Sequence, residues 1–192
     1  MTVHIPNAPS GFLDLPSKSF IQQTLFVVAG TLVLALASRI SVPMVPVPIT
    51  MQTFAITMVG ALYGWRLGTL TVLAWLGEAM LGLPVLAGGA FGLAPFVGPT
   101  AGYLVSFPIM AALVGFMTEK GISGDRPIAG FLLHFGASAL GLALGWVWLA
   151  GLLGAEKAWI AGVAPFILGA VLKSALAVAA LKVLALRAQA AK

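Results

Sequence analysis

The sequence predicts an all-α polytopic membrane protein, a bundle of about six transmembrane helices with both termini cytoplasmic. Three observations carry that prediction. Hydrophobic residues make up 60% of the 192 residues and charged residues 8%, against roughly 25% charged in a soluble domain. A water-soluble fold of this size needs far more polar surface than that, and the mean hydropathy of +1.08 agrees. The charges also punctuate long apolar runs instead of forming a face. The bases are Lys18, Arg39, Arg66, Lys120, Arg126, Lys157, Lys173, Lys182, Arg187 and Lys192, and the acids are Asp14, Glu78, Glu119, Asp125 and Glu156. A net charge of +5 without a patch or interleaved aromatics argues against a nucleic-acid partner. With no cysteine, the chain has no disulfide frame, thiol nucleophile or thiolate metal site.

The elements follow in order. Residues 1–19 are polar, carry Pro6, Pro9 and Pro16, and read as a tail. The apolar run 20–38 is long enough, at ~1.5 Å per residue, to cross a ~30 Å hydrocarbon core. Within it Ala35-Leu36-Ala37-Ser38 resembles a signal-peptidase site. The tail before it is long and the run exceeds a signal's apolar core, so it is read as a retained span. Pro43, Pro46 and Pro48 then remove backbone donors and disfavour helix before each proline, which predicts an extended connector. Further spans are read at 49–62, 67–83, 99–118, 127–150 and 158–187. The first of these is short and is expected in thinned or protein-covered membrane. The stretch 84–98 is apolar but holds Gly88, Gly89, Gly92, Pro95 and Gly98, too many breakers for a dependable helix. At membrane depth such backbone survives only when buried in protein or lining a cavity. The chain reads as one domain, with tail 1–19, bundle 20–187 and a short tail 188–192.

Six spans starting inside put Lys18, Arg66, Lys120, Arg126, Lys182, Arg187 and Lys192 on the inner side. Arg39 and Lys157 fall outside and Lys173 lies within the last span. That bias follows the positive-inside rule. It places both irregular connectors on the outer side.

Polar residues at membrane depth are the candidate site residues, because each costs free energy without a partner or a function. Lys173 lies too far from either end of its span to snorkel easily; it would meet an anionic ligand group or pair with Glu78. Glu78, just before the Gly/Pro connector, would accept from ligand N–H groups or take that pairing. Gln52 offers donors and acceptors to a ligand or to a neighbouring helix. Tyr103, Trp75, Trp146, Trp148 and Trp159 would line a pocket for a ring system or anchor the chain at the interface. His134 reads as a packing residue and Arg39 as an interface anchor. Gly60, Gly64 and Gly68, Gly98 and Gly102, Gly141 and Gly145, and Ala170 and Ser174 recur at helix-contact spacing. There is no phosphate loop, no His/Glu metal box and no nucleophile elbow. These absences argue against ATP hydrolysis by the chain and against an enzyme. No cofactor or metal is expected, and a binding and transport role remains.

Four motifs in order carry a family resemblance. They are Pro46-Val47-Pro48-Ile49-Thr50-Met51-Gln52-Thr53, Gly77-Glu78-Ala79-Met80-Leu81-Gly82-Leu83-Pro84-Val85-Leu86-Ala87-Gly88-Gly89, Gly98-Pro99-Thr100-Ala101-Gly102-Tyr103-Leu104, and Pro165-Phe166-Ile167-Leu168-Gly169 with Lys173. Over roughly 20–184 the chain resembles the BioY biotin transporter family. The resemblance implies biotin uptake across the cytoplasmic membrane by the substrate-binding (S) component of an energy-coupling factor (ECF) transporter. Its partners would be biotin, the bilayer, a transmembrane coupling subunit and two ABC ATPases, or further copies of the chain where no ATPase module is used. It also implies that Gln52 with the Pro-x-Pro segment, Gly88, Gly89, Tyr103 and Lys173 contribute to the site. Many relatives carry an aspartate three residues before the lysine, where this chain has Ala170; Glu78 is the candidate substitute. The small-residue surface that docks the coupling subunit would fall on Thr31 with Ala35 or Val33 with Ala37. Two other classes compete: an S component for a different vitamin, and a non-transporting structural membrane protein.

Overall fold

A computed structural model describes Leu13, Leu15 and residues 18–122 and 126–190, with side chains to 187. Most of the expected N-terminal tail, with Asp14, Asp125 and Lys192, lies outside the described residues. Helix α1 (Phe20–Arg39) opens with a capping box, in which the Gln22 amide donates to Ser19 Oγ and the Ser19 amide to Gln22 Oε1. These contacts satisfy donors that the first turn leaves unpaired. One stripe of α1, Gly30, Thr31, Leu34, Ala37 and Ser38, is buried, while Leu25, Leu32 and Leu36 are exposed. In a membrane that exposed face meets lipid.

The proline connector is extended, as its composition predicts, and closes on itself. Strand β1 (Ser41–Val42) pairs antiparallel with β2 (Ile49–Thr50), Ser41 opposite Thr50 and Val42 opposite Ile49. Helix α2 (Gln52–Met80) follows and is interrupted at Gly64, whose φ of 79° and ψ of 173° are non-helical. Only glycine adopts such a conformation readily. The chain folds back there with no loop. A Cβ on Gly68 would stand 3.0 Å from the Gly60 Cα, a distance impossible along one straight helix, where eight residues span ~12 Å. The spans read at 49–62 and 67–83 are therefore the two arms, 52–63 and 65–80, of a helical hairpin.

Helix α4 (Ala101–Glu119) lies along that hairpin and comes closest to it at glycines. A Cβ on Gly60 would stand 2.5 Å from the Ala111 carbonyl oxygen, and one on Gly115 2.5 Å from the Trp65 nitrogen. Backbones approach this closely only at small residues, the usual device of helix packing in lipid. The reversal also frees amides at the start of the second arm, and Glu119 Oε1 accepts from the Trp65 amide at 3.1 Å. That acid caps a helix start.

Between the hairpin and α4, residues 81–100 hold only a 3-10 turn (Ala87–Gly89) and helix α3 (Ala94–Val97). The glycine and proline count anticipated this irregularity. Helix α5 (Pro127–Leu153) packs antiparallel on α4. Gly102 sits against Trp148 and Leu144, and Gly141 against the Met110 sulfur. The expected last span, 158–187, is instead two helices, α6 (Ala155–Gly162) and α7 (Ala164–Ala190). Pro165, which lacks an amide donor, suits the first turn of α7 but not the interior of one long helix. Helix α7 continues past the expected boundary at 187.

Among the described residues, five helical segments are long and apolar enough to cross a membrane, and Gln52–Met80 is one of them. Because it doubles back at Gly64, the architecture is a six-helix, multi-pass membrane bundle. Its two ends differ. At one end the Leu13 amide meets the Leu62 carbonyl and Glu119 meets Trp65. At the other, Arg39 meets Pro84, Trp148 meets Gly98 and Tyr103 meets Gly162. Both irregular connectors gather at this second end.

Candidate functional site

Beneath the two connectors lies a cavity of about 330 Å³. Small-molecule sites commonly enclose ~300–1,000 Å³, mostly apolar with a few convergent polar groups. Phe107, Met110, Leu142 and Phe166 supply the apolar wall. Pro46, Val47 and Pro48 come from the first connector, and Leu86, Ala87, Ala90 and Pro95 from the second. Thr50, Gln52, Thr53, Tyr103, Ser138 and Lys173 supply the polar groups.

Lys173, half-buried on α7, donates to the Thr50 carbonyl at 3.0 Å and to Thr53 Oγ1 at 2.8 Å. An ammonium carries three donors. Two meet these neutral acceptors, and the third has no partner among the described residues. The pairing with Glu78, the alternative to a ligand contact, is not made in this arrangement. Glu78 is half-buried and not among the lining residues, because Trp75, Leu76 and Ala79 take the inward face of the 65–80 arm.

Gln52 lines the cavity but is held by the protein. Its Nε2 donates to Ser38 Oγ at 3.0 Å, Thr50 Oγ1 donates to its Oε1 at 2.9 Å, and Ser38 Oγ donates to the Leu34 carbonyl at 2.7 Å. Thr50 is thus fixed on one side by Gln52 and on the other by Lys173. Such a satisfied chain in a low-dielectric interior is stiff, since each buried group released costs ~1–3 kcal/mol. The first connector is pinned to α1, α2 and α7 at once.

Tyr103 is buried, stacks on Phe166 with ring centroids 6.4 Å apart, and donates to the Gly162 carbonyl at 2.8 Å. Its ring lies over Gly145, where any Cβ would collide with it. The small-residue spacing read from the sequence at Gly141 and Gly145 therefore makes room for a cavity-lining aromatic. Gly88 and Gly89 do not line the cavity themselves; they form the turn between Ala87 and Ala90, which do.

The tryptophans divide. Trp75 is fully buried, stacks on Phe107 and donates to the Val85 carbonyl at 3.2 Å, so it holds the second connector from within. Trp148 holds the same connector through the Gly98 carbonyl at 2.9 Å. Trp146 and Trp159 line a second, apolar cavity of about 310 Å³ between α5, α6 and α7, which shares Leu142 and Ala170 with the first. His134 is buried on α5 with its Nδ1 unpartnered among the described residues, and it lines neither cavity. Sequence reasoning missed Thr50, Thr53 and Ser138. Thr53 stands 120 residues from Lys173, a separation at which no local pattern reports contact.

A family model described as the BioY family matches residues 10–190. The chain belongs to the BioY family. Among its BioY relatives, the probable biotin transporter BioY of Pyrococcus horikoshii is 37% identical over 144 residues, covering 75% of this chain and 84% of that protein. The biotin transporter BioY of Rhizobium etli is 38% identical over 152 residues, covering 75% and 81%. Among solved structures, the S-component for biotin from an ECF-type ABC transporter, determined at 2.1 Å, superposes with a TM-score of 0.77 at 27% identity, covering 85% of this BioY chain and 90% of that one.

Proposed function

We propose that this BioY chain is the biotin-capturing S component of an ECF-type transporter, taking the vitamin up across the cytoplasmic membrane. The observation that carries the reading is the cavity beneath the two connectors, with a lysine whose described partners are neutral. Biotin has an apolar thioether ring, a ureido ring with two donors and one acceptor, and a carboxylate tail. Phe107, Met110, Leu142, Phe166 and the ring of Tyr103 suit the rings, and Lys173 and Thr53 suit the polar ends. Gln52 and the Gly88-Gly89 turn act by shaping the roof; Glu78 is left out of the site. The relatives in Pyrococcus and Rhizobium and the solved biotin S-component support the choice of vitamin.

The cavity faces outward in this reading, with both termini in the cytoplasm. Lys18, Arg66, Lys120 and Arg126 fall at the end away from the cavity, as the positive-inside rule asks of a cytoplasmic face. Capture would proceed from outside, with the connectors closing over the ligand. Release inward would draw on the partners the reading implies, a transmembrane coupling subunit and ABC ATPases, or on further copies of the chain where no ATPase module is used. Thr31 and Ala37 are buried within the bundle, so they are removed from the proposed docking surface. Val33, which is exposed, and the half-buried Ala35 remain accessible to it.

Thermal unfolding of the detergent-purified protein tests the reading. Biotin at a hundred times its dissociation constant should stabilise the fold by ~2.7 kcal/mol. A shift with another vitamin and none with biotin overturns the assignment.

A further inference from the structure

The second connector is fastened at two places of opposite character. From inside, the fully buried Trp75 donates to the Val85 carbonyl. From outside, the exposed Arg39 on the last turn of α1 donates from Nη2 to the Pro84 carbonyl at 2.6 Å. Its Nη1 stands 3.0 Å from where a Gly89 Cβ would be, so the guanidinium lies across the whole turn from Pro84 to Gly89. That turn carries Leu86, Ala87 and Ala90 into the cavity roof. Breaking the Trp75 contact would strand a buried donor, whereas an exposed guanidinium exchanges its carbonyl for water at small cost. The outer fastening is the one that can open reversibly.

The same turn of α1 also holds the first connector. Ser38 Oγ accepts from Gln52, and the Ile40 carbonyl accepts from the Met51 amide at 3.0 Å. One helix end therefore touches both halves of the roof, and Arg39 supplies its contact to the second half.

We infer that Arg39 is the releasable latch of the roof, a positioning residue that sets how long a captured ligand stays. The inference rests on the biotin reading above. Holding a roof shut acts on escape more than on entry, so loss of the latch should appear in the dissociation rate. Arg39→Ala should release radiolabelled biotin about three- to tenfold faster in a chase with excess unlabelled vitamin, the loss of roughly one solvent-exposed hydrogen bond. The association rate and the unfolding temperature without ligand should stay near wild type, and Arg39→Lys should restore part of the slow release. A structural role alone would lower the ligand-free unfolding temperature and gain nothing from lysine; that outcome overturns the latch. An unchanged release rate in Arg39→Ala, with wild type binding biotin normally, also overturns it and leaves the biotin reading intact. A wild-type protein that binds no biotin overturns both. If Arg39→Ala does not fold, Arg39→Gln is measured in its place against the same outcomes.

Discussion

Replacing Lys173 by methionine removes a charge while keeping an unbranched side chain of similar length. In the ligand-free protein, the ammonium's two bonds to the Thr50 carbonyl and Thr53 Oγ1, at 3.0 and 2.8 Å, disappear. Each is worth a net ~0.5–1.5 kcal/mol. Thr50 keeps its side-chain bond to Gln52, and with each of the two acceptors losing one donor the fold should lose about 1–3 kcal/mol. Binding should lose more, because the third donor of the ammonium meets a ligand oxygen inside a mostly apolar cavity. Removing one member of a desolvated charged contact costs ~2–5 kcal/mol. A loss of roughly 2–4 kcal/mol raises Kd on the order of 30- to 700-fold. Equilibrium binding of labelled biotin to purified Lys173→Met, with folding checked by size-exclusion chromatography, measures this directly. A folded variant whose Kd stays within about threefold of wild type would refute the role given to Lys173, since threefold is below ~0.7 kcal/mol.

Three further outcomes follow from particular contacts. Tyr103→Phe keeps the ring against Phe166 but strands the Gly162 carbonyl; unfolding in detergent should show a loss of ~1–2 kcal/mol with a small change in Kd. Gly145→Ala drives a methyl group into the Tyr103 ring, so titration with biotin should show weakened binding even where the protein purifies normally. Gly115→Leu inserts a side chain where α4 meets the Trp65 backbone; overpacking of this kind costs ~1–3 kcal/mol, and the unfolding temperature should fall without ligand as well as with it.

The bundle was legible in the sequence because lipid imposes a simple rule: apolar runs end at charges. The runs at 20–38, 99–118 and 127–150 correspond to α1, α4 and α5 for that reason. The hairpin was legible only as two spans. Its tightness depends on the left-handed backbone of Gly64 and on Gly60 meeting Gly68, and glycine spacing alone does not distinguish a reversal from a packing stripe. The break between α6 and α7 left a trace in Pro165 that hydropathy averages away, because the residues flanking Val163 on both sides are apolar. In the site, Lys173 stood out because charge at membrane depth is rare. Its partners did not, since Thr50 and Thr53 are ordinary threonines until the fold brings them to α7. Glu78 drew attention for the same reason as Lys173, but it does not line the cavity. It is ionisable and sits near a span's end, but only packing reveals which face of the helix it takes.

The chain contains no cysteine, so one introduced thiol can report on the cavity by itself. Ala90 is half-buried and lines the roof, while Leu81 is 87% exposed and lies outside the lining. Rates of maleimide labelling in Ala90→Cys and Leu81→Cys, with and without biotin, place the ligand directly. Biotin should slow labelling at position 90 severalfold and leave position 81 unchanged; equal rates at position 90 with saturating biotin would contradict a biotin site under these connectors.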